Sequence, residues 1–354
     1  MSAPPPAATS PGPVRRTLET AAIGGAGALL FLLLHIPAGP ILGAISFTAV
    51  AALSGRTLGW SQPVTTAIFL TTGFAAGSTV TPATLQAAAL WPVSILALLA
   101  TTGLMWAAGW WVFRRMSSAD GKTAFFASAP GSLSAVMALA EQDRADMPRI
   151  AVAQSLRLLI LVGAAPFAMS VGSVARIIDN PAQVTGAPAW ILAIGAALIG
   201  WRLAVLWRFP APVFLGAFLG SAILHATGVV GVRPPPQALM TSTAALGALI
   251  GSRFSGVRVS DLVRFLPASL AQVAAMVVIS LPVGLLVGTL AGVGPAAGLL
   301  AFAPGSMEMM VAISLAINAH PAYVVSHHLC RTLLLLALVP ALSSRWTPRP
   351  KTAD

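Results

Sequence analysis

The chain contains one four-residue sequence twice, as Ala129–Ser132 and as Ala303–Ser306, at an offset of 174 residues. The same offset places Arg157 on Arg331, and the match extends over both flanks of the repeated sequence. Two copies of one unit are expected to share their local structure, which strongly limits the folds that are open to the chain. The sequence therefore predicts a single unit of about 170 residues that is present twice.

Both copies are too apolar to fold in water. Hydrophobic residues make up 57% of the chain, charged residues make up 8%, and the mean hydropathy is +0.86. A soluble domain has about 25% charged residues, because its surface faces water. The apolar runs are long enough to cross a bilayer, and they lack the polar alternation of a membrane β-barrel. We expect an all-α polytopic membrane protein.

The apolar pattern predicts six segments in each copy, and the fifth segment of each contains the repeated Ala-Pro-Gly-Ser. Proline and glycine together interrupt a helix, so this segment is either a broken crossing helix or a re-entrant one. The segments are roughly 18–36, 38–54, 63–80, 86–113, 123–140 and 149–170, then 189–207, 210–226, 238–253, 266–290, 295–316 and 321–343. The predicted organisation is a disordered Pro-rich tail (1–17), repeat 1 (18–180), repeat 2 (181–343) and a cytoplasmic tail (344–354).

The positions of the positive charges predict how the two repeats are oriented. If the fifth segment enters and leaves the membrane on the same side, each repeat crosses the membrane five times. Because five is an odd number, the second repeat is then inverted relative to the first. Apart from Arg157 and Arg331, which lie within the membrane, sixteen of the eighteen Lys and Arg residues are then on the cytoplasmic side, with Arg176 and Arg233 as the exceptions. The number of crossings per repeat is also odd if the fifth segment crosses as a broken helix and one further span has been missed. We expect a transporter-like pair of inverted repeats in the inner membrane, with about five crossings and one broken or re-entrant helix each, and cytoplasmic termini.

The interrupted segments are the first candidate site. Inverted repeats with interrupted helices are the architecture of secondary transporters, whose substrates bind where free backbone N–H groups face a cavity. A packed kink without a ligand is the alternative, because small residues also serve helix packing. The candidate binding residues are Pro130, Gly131 and Ser132 in repeat 1 and Pro304, Gly305 and Ser306 in repeat 2.

Two arginines lie in the middle of apolar segments, where a charge is costly and needs a partner or a wet cavity. Gln154 and His328 precede Arg157 and Arg331 by three residues, on the same helical face, and His327 precedes Arg331 by four. One interpretation is an anion-binding or proton-linked site, with arginine as the clamp and histidine as a titratable neighbour. The other is that each arginine bonds the carbonyls of its own broken helix and stabilises the fold.

Glu308 is a carboxylate inside an apolar segment, close behind the Pro304–Gly305 break. In the first turn of a half-helix its charge suits the helix dipole, and its expected partner is Arg331, His327 or His328. As a switchable acid it carries a proton; as an ion-pair partner it is structural. Repeat 1 has Ser134 at this position, so any proton site is asymmetric.

The residues predict neither an enzyme nor a cofactor. The single cysteine, Cys330, excludes a disulfide framework, and the histidines form no convincing ligand set, although the adjacent His327 and His328 leave a metal open. The net charge of +11 is spread in ones and twos between apolar runs, which indicates cytoplasmic loops rather than a nucleic-acid surface. Expected partners are a small-molecule or ion substrate and membrane lipid, and a homo-oligomer remains open.

The segments 125–166 and 299–340 share an Ala-Pro-Gly break, a half-helix, a polar turn and a helix with a lone arginine. In this pattern the chain resembles the AbrB-duplication family of bacterial inner-membrane proteins, over nearly its whole length after the tail. The family often has a second glycine where this chain has Ser132 and Ser306. Similar proteins carry the labels regulator of gene expression and ammonia monooxygenase, but the chain shows neither a redox-metal ligand set nor the small β domain of the soluble DNA-binding protein that shares the family's name.

The sequence therefore predicts a secondary transporter of a small organic anion or metabolite, which binds at the broken helices. The alternative is a membrane-embedded regulator of gene expression that acts indirectly through a partner, without transport.

Overall fold

The computed structural model describes residues 12–36, 38–89, 91–131, 133–170 and 186–343. Within these residues the chain forms fifteen helices, and the protein is an all-α polytopic membrane protein. The helices are α1 Pro13–Leu33, α2 Gly39–Leu53, α3 Gln62–Gly77, α4 Pro82–Ala88, α5 Trp91–Ser117, α6 Gly121–Ser128, α7 Leu133–Gln142, α8 Met147–Ser170, α9 Ala187–Leu206, α10 Pro212–Ala226, α11 Pro236–Ser252, α12 Val259–Leu290, α13 Pro295–Phe302, α14 Met307–Ala316 and α15 Pro321–Ser343.

Among the described residues, five helices are long and apolar enough to cross a membrane, namely α1, α5, α9, α12 and α15. A sixth span is formed if α3 and α4 are taken together, although the two helices bend by 79° at their junction. Shorter apolar helices, α2, α10 and α14, accompany them. Many large apolar side chains on these helices are exposed, as expected where the surrounding solvent is lipid.

The predicted segments differ from the helices at three places. Helix α1 begins at Pro13 rather than residue 18, because proline suits a first turn and Arg15 pairs with Glu19 at 2.8 Å one turn later. Helix α12 begins at Val259 rather than residue 266, with Asp261 in its first turn, where a carboxylate suits the helix dipole. The fourth predicted segment in repeat 1 begins as the separate short helix α4. Residues 1–11 and 344–354 lie outside the described part, so the two tails remain predictions.

Backbone contact between glycines joins the first two helices of each half. A Cβ atom added to Gly27 of α1 would lie 2.2 Å from the carbonyl oxygen of Gly43 in α2. A Cβ atom added to Gly200 of α9 would lie 2.2 Å from the carbonyl oxygen of Gly216 in α10. Small residues allow such close approach between membrane helices, which gain stability from van der Waals packing. Helix α1 therefore packs on α2 in the same way as α9 packs on α10, through close glycine contacts.

This contact predicts the effect of one added methyl group in α9. Gly200→Ala is expected to lower the free energy of unfolding by about 1–3 kcal/mol, because the methyl overlaps a backbone atom that has little room to move. Gly195→Ala, in the same helix, is the control, since an added Cβ meets nothing within 4 Å there. Thermal unfolding in detergent measures both variants. Equal melting temperatures for the two would contradict the tight packing of α9 on α10.

Each third helix packs against the second helix of the other half. The contacts are again made at glycines, where an added Cβ would meet a carbonyl oxygen at 2.4–2.7 Å. These pairs are Gly73 with Phe214 and Gly77 with Phe218 for α3 on α10, and Gly247 with Ile41 and Gly251 with Ile45 for α11 on α2. The two sets of residues correspond to one another at the sequence offsets of 174 and 173 residues.

Within the described residues, contacts group the chain into two compact units: Met1–Ile68 with Met240–Val257, and Phe69–Leu239 with Arg258–Asp354. The second unit contains the interrupted helices. In this unit the long helices α5 and α12 pack on each other, α6 packs on α5 and α8, and α13 packs on α12 and α15. A buried core around Phe113, Phe126 and Ile150 fixes α6 between α5 and α8.

Candidate functional site

Both repeated sequences interrupt a helix. Helix α6 ends at Ser128 and α7 begins at Leu133, while α13 ends at Phe302 and α14 begins at Met307. Proline within each break cannot donate a backbone hydrogen bond, which stops the preceding helix. The Ser306 hydroxyl caps α14 by accepting from the backbone N–H of Met309 at 3.4 Å. Ser132 lies outside the described residues, and its predicted capping role stays a prediction.

The two buried arginines bond the carbonyl groups at the ends of the half-helices. Arg157 Nη1 donates to the oxygen of Ala129 at 2.8 Å. Arg331 Nη1 donates to the oxygen of Ala303 at 2.6 Å, and its Nη2 donates to the oxygen of Gly305 at 3.1 Å. Each arginine lies 28 residues after its acceptor alanine. The guanidinium groups therefore stabilise the negative, carbonyl ends of α6 and α13.

A second polar side chain supports each arginine one turn earlier. Gln154 Nε2 donates to the oxygen of Phe126 at 3.0 Å, and His328 Nε2 lies 2.9 Å from the oxygen of Leu300, again 28 residues away. Arg331 Nη2 also contacts His328 Nδ1. Because a guanidinium can only donate, His328 Nδ1 must accept and Nε2 must carry the hydrogen. The tautomer of His328 is thereby fixed.

The corresponding hydrogen bonds of Gln154 and His328 predict the effects of two substitutions at residue 154. Gln154→Leu is expected to lower the free energy of unfolding by about 1 kcal/mol, because the carbonyl oxygens at the end of α6 lose the Gln154 amide as a donor while they keep their other donors. Those acceptors are Phe126, Ala127 and Ala129. Gln154→His is the control, since repeat 2 uses histidine for the same bond, and it is expected to keep most of the stability. Thermal unfolding measures both, and a Leu variant as stable as the wild type would show that the bond contributes nothing.

Glu308 does not make the contacts that the sequence predicts for it. It lies half-buried in the first turn of α14, as its spacing predicts, but it is not the partner of the cationic site. Within the described residues it forms no hydrogen bond or ion pair with Arg331, His327 or His328. Arg331 donates instead to the carbonyl oxygens of Ala303 and Gly305 and contacts His328. Glu308 therefore compensates the helix dipole rather than the arginine.

The predicted residues of both breaks lie inside the protein. Pro130 is buried, and Gly131 lies against α15, where an added Cβ would meet Leu335 Cδ1 at 2.9 Å. Pro304 and Gly305 are also buried in the break of repeat 2. Both breaks and both arginines belong to the same compact unit.

His327 makes contacts that sequence reasoning did not predict. Its Nε2 lies 2.8 Å from Ser94 Oγ in α5, 233 residues away in the chain. Its ring lies 3.9 Å from that of Tyr323, and Trp91 packs edge-on against Tyr323 at 5.3 Å between centroids. The one available signal was that Tyr323 is the single tyrosine of the chain. The pairing itself comes from the packing of α5 on α15, which the sequence pattern does not encode.

Two buried arginines place positive charge in the interior of the protein. Arg157 and Arg331 are each 2% exposed. Within the described residues neither arginine pairs with a carboxylate, and the Arg157 Nε atom is buried without a hydrogen-bond partner. Carbonyl oxygens accept from some of the guanidinium donors but supply only partial negative charge. The site is therefore suited to attract an anion.

A family model described as "Transition state regulatory protein AbrB" matches residues 41–347, which include both repeated sequences and both arginines. The chain belongs to the AbrB family. It is 31% identical to "Uncharacterized protein YhjN" of Bacillus subtilis (strain 168), over 65% of this chain and 65% of that protein. It is 26% identical to "Putative regulator AbrB" of Escherichia coli (strain K12), over 88% of this chain and 91% of that protein.

Proposed function

We propose that this AbrB-family protein is a secondary transporter of a small organic anion, with its binding site at the two interrupted helices. The observation that carries the proposal is the pair of buried arginines without a carboxylate partner in the described residues. Buried charges are costly unless they are compensated, and an ionised substrate carboxylate compensates a guanidinium with directed, charge-assisted hydrogen bonds. The substrate class is therefore a small carboxylate.

The proposal includes the orientation of the two repeats. In the proposed topology about ten helices cross, the five long ones together with shorter helices, and α6–α7 and α13–α14 are broken or re-entrant elements. The second repeat then lies upside down in the membrane. The distribution of Lys and Arg supports this topology, with cytoplasmic termini in the inner membrane. Inversion brings two equivalent breaks to one level of the bilayer, which is the arrangement that alternating access requires.

Regulation of gene expression through a protein partner is the second candidate. The names of the family model and of the Escherichia coli relative favour it. This function requires no turnover, so the two candidates differ in one measurable quantity: a transporter moves its ligand across a membrane, and a regulator of this kind only binds it or a partner.

The first experiment is a binding screen with the purified full-length protein. Succinate, pyruvate and lactate are the probes, and thermal unfolding is the measurement, since a ligand that binds the folded state raises the melting temperature. We expect stabilisation by at least one probe that grows with its concentration. Chloride at equal ionic strength is the control. No stabilisation by any probe in a well-folded sample would count against an anion site.

A further inference from the structure

An apolar groove of about 320 Å³ lies between α1 and α11, within the compact unit of Met1–Ile68 and Met240–Val257. It is open to the surroundings, because Leu29 and Leu32 of its wall are exposed. A Cβ atom added to Gly25 would meet nothing within 4 Å. The groove therefore offers unfilled apolar space to the membrane. Its small lining residues are Ala21, Gly24, Gly25, Ala28, Ala244 and Ala248.

The corresponding contact in repeat 2, between α9 and α3, is filled by side chains of the chain itself. Phe74 of α3 belongs to a buried core with alanines of α9, and Leu70 packs against the same core. At the offset of 174 residues, α11 has Ala244 and Ala248 in place of Leu70 and Phe74. One helix contact is therefore closed by large side chains, whereas its counterpart in repeat 1 leaves room for another molecule.

The segment that follows α2 is fixed at one end of this groove. The backbone N–H of Gly59 donates to Thr20 Oγ1 of α1 at 2.8 Å. The backbone N–H of Leu58 donates to Ser255 Oγ, just after α11, at 3.1 Å. These two bonds join the segment to the start of α1 and to the end of α11. Residues 56–61 therefore lie at the end of the groove that Ala21 forms.

Positive charge collects at this end of the groove. Arg15 and Arg16 lie in the first turn of α1, Arg56 is exposed in the segment after α2, and Arg253 directly follows α11. The described part of this compact unit contains one carboxylate, that of Glu19, which pairs with Arg15 at 2.8 Å. An apolar groove that ends at an excess of arginines is complementary to a molecule with an apolar chain and an anionic head.

We propose that the groove binds an acyl chain of an anionic phospholipid, whose phosphate lies beside these arginines. Lys and Arg residues at the cytoplasmic membrane surface attract anionic lipids, and basic pockets between membrane helices bind their head groups. Trp60 lines the groove near the arginines, and tryptophan is enriched at the level of the lipid head groups. Its indole Nε1 donates to the carbonyl oxygen of Ala245 at 2.9 Å, which leaves the apolar ring face for the acyl chain.

A second copy of the chain is a less suitable occupant of the groove. Two copies in one membrane have the same orientation, so a symmetric contact along α1 would bring the arginine-rich ends of both copies to the same side. Like charges repel, and the single carboxylate of each described unit does not compensate four arginines. The charge therefore favours an anionic lipid over a dimer contact.

Native mass spectrometry of the delipidated full-length protein tests the proposal. Dioleoyl phosphatidylglycerol and dioleoyl phosphatidylcholine are the probes, because they have the same acyl chains and differ in net charge. The protein is expected to retain one phosphatidylglycerol and to bind it at least about fivefold more tightly than phosphatidylcholine. The reason is that each arginine near a lipid surface contributes a factor of about five.

Two substitutions fill the groove. Gly25→Leu introduces the residue that repeat 2 has at the corresponding position, Leu198, and leucine also favours a helix more than glycine does. This variant is expected to lose the bound phosphatidylglycerol. Gly195→Leu in α9 is the matched control, since an added Cβ meets nothing within 4 Å there either, and it is expected to retain the lipid. Ala244→Leu fills the groove from α11 and decides the question if Gly25→Leu does not fold.

A charge variant tests the head-group contact. Arg56→Gln is expected to weaken phosphatidylglycerol binding about fivefold and to leave phosphatidylcholine binding unchanged. Arg202→Gln removes an exposed arginine of α9 and is expected to change neither.

Three results would overturn the proposal. They are equal binding of the two lipids by the wild type, undiminished phosphatidylglycerol binding by the groove-filling variants, and retention of no lipid by the wild type. A wild-type dimer that becomes monomeric in Gly25→Leu, without retained lipid, would assign the groove to a second copy instead. None of these results bears on the proposed carboxylate site, because both interrupted helices belong to the other compact unit.

Discussion

Arg331→Ala is expected to weaken carboxylate binding by more than about 100-fold and to leave insertion into the membrane intact. Two charge-assisted hydrogen bonds to the anion would be lost, each of which contributes about 1.5–3 kcal/mol. The same expectation holds for Arg157→Ala. Because each guanidinium also bonds carbonyl oxygens of its half-helix, both variants are expected to unfold at lower temperature. Isothermal titration with the carboxylate that stabilises the wild type measures the first effect, and thermal unfolding measures the second.

The control separates a ligand role from a structural one. Arg258→Ala removes an arginine that is exposed and paired with Asp261, and it is expected to change neither affinity nor stability by a measurable amount. Arg331→Lys keeps the positive charge but loses the planar fork, so we expect intermediate affinity. If folded Arg331→Ala binds the carboxylate as tightly as the wild type, the arginine only holds the half-helix in place.

If the two repeats have opposite orientations, cysteines at corresponding positions are labelled from opposite sides of the membrane. Gln86 and Ser260 are exposed and occupy corresponding positions at the offset of 174 residues. Single cysteines at these positions, in a Cys330→Ser background, are expected to react with a membrane-impermeant maleimide from opposite sides. Position 260 is expected to be cytoplasmic, because the basic residues Arg253, Arg258 and Arg264 surround it.

A third cysteine supplies the control for this experiment. Met116 is exposed and follows Arg114 and Arg115 at the end of α5, so a cysteine there is expected to react from the cytoplasmic side, like position 260. Labelling of positions 86 and 260 from one side, with position 116 behaving as expected, would show that the repeats are parallel.

The sequence predicted the helices well because proline, glycine and hydrophobic length are local signals. The repeated Ala-Pro-Gly-Ser predicted both interruptions, and the spacing of Gln154 and Arg157 correctly placed them on one face. The short helix α4, bent by 79° from α3, was not predicted, because the apolar pattern ended the third segment at residue 80 and began the fourth at residue 86.

The partners of the buried polar groups were harder to predict. Helices that are apolar on all sides give no periodic signal for the face that meets a neighbour. The contact between Ser94 and His327 therefore could not be derived from spacing, and Glu308 was wrongly expected to pair with the cationic residues. Of the two interpretations of the arginines, the hydrogen bonds to Ala129 and Ala303 establish the structural one, and the anion clamp remains our proposal.

Uptake of a labelled carboxylate into proteoliposomes tests the central claim most directly. The carboxylate that stabilises the purified protein is supplied outside vesicles that contain wild-type protein or the Arg157→Ala/Arg331→Ala double variant. A transporter is expected to take up the label in a saturable manner, whereas the double variant is expected to equal protein-free vesicles. Tight binding by folded wild-type protein with no uptake under any gradient would contradict transport and favour a membrane-embedded regulator.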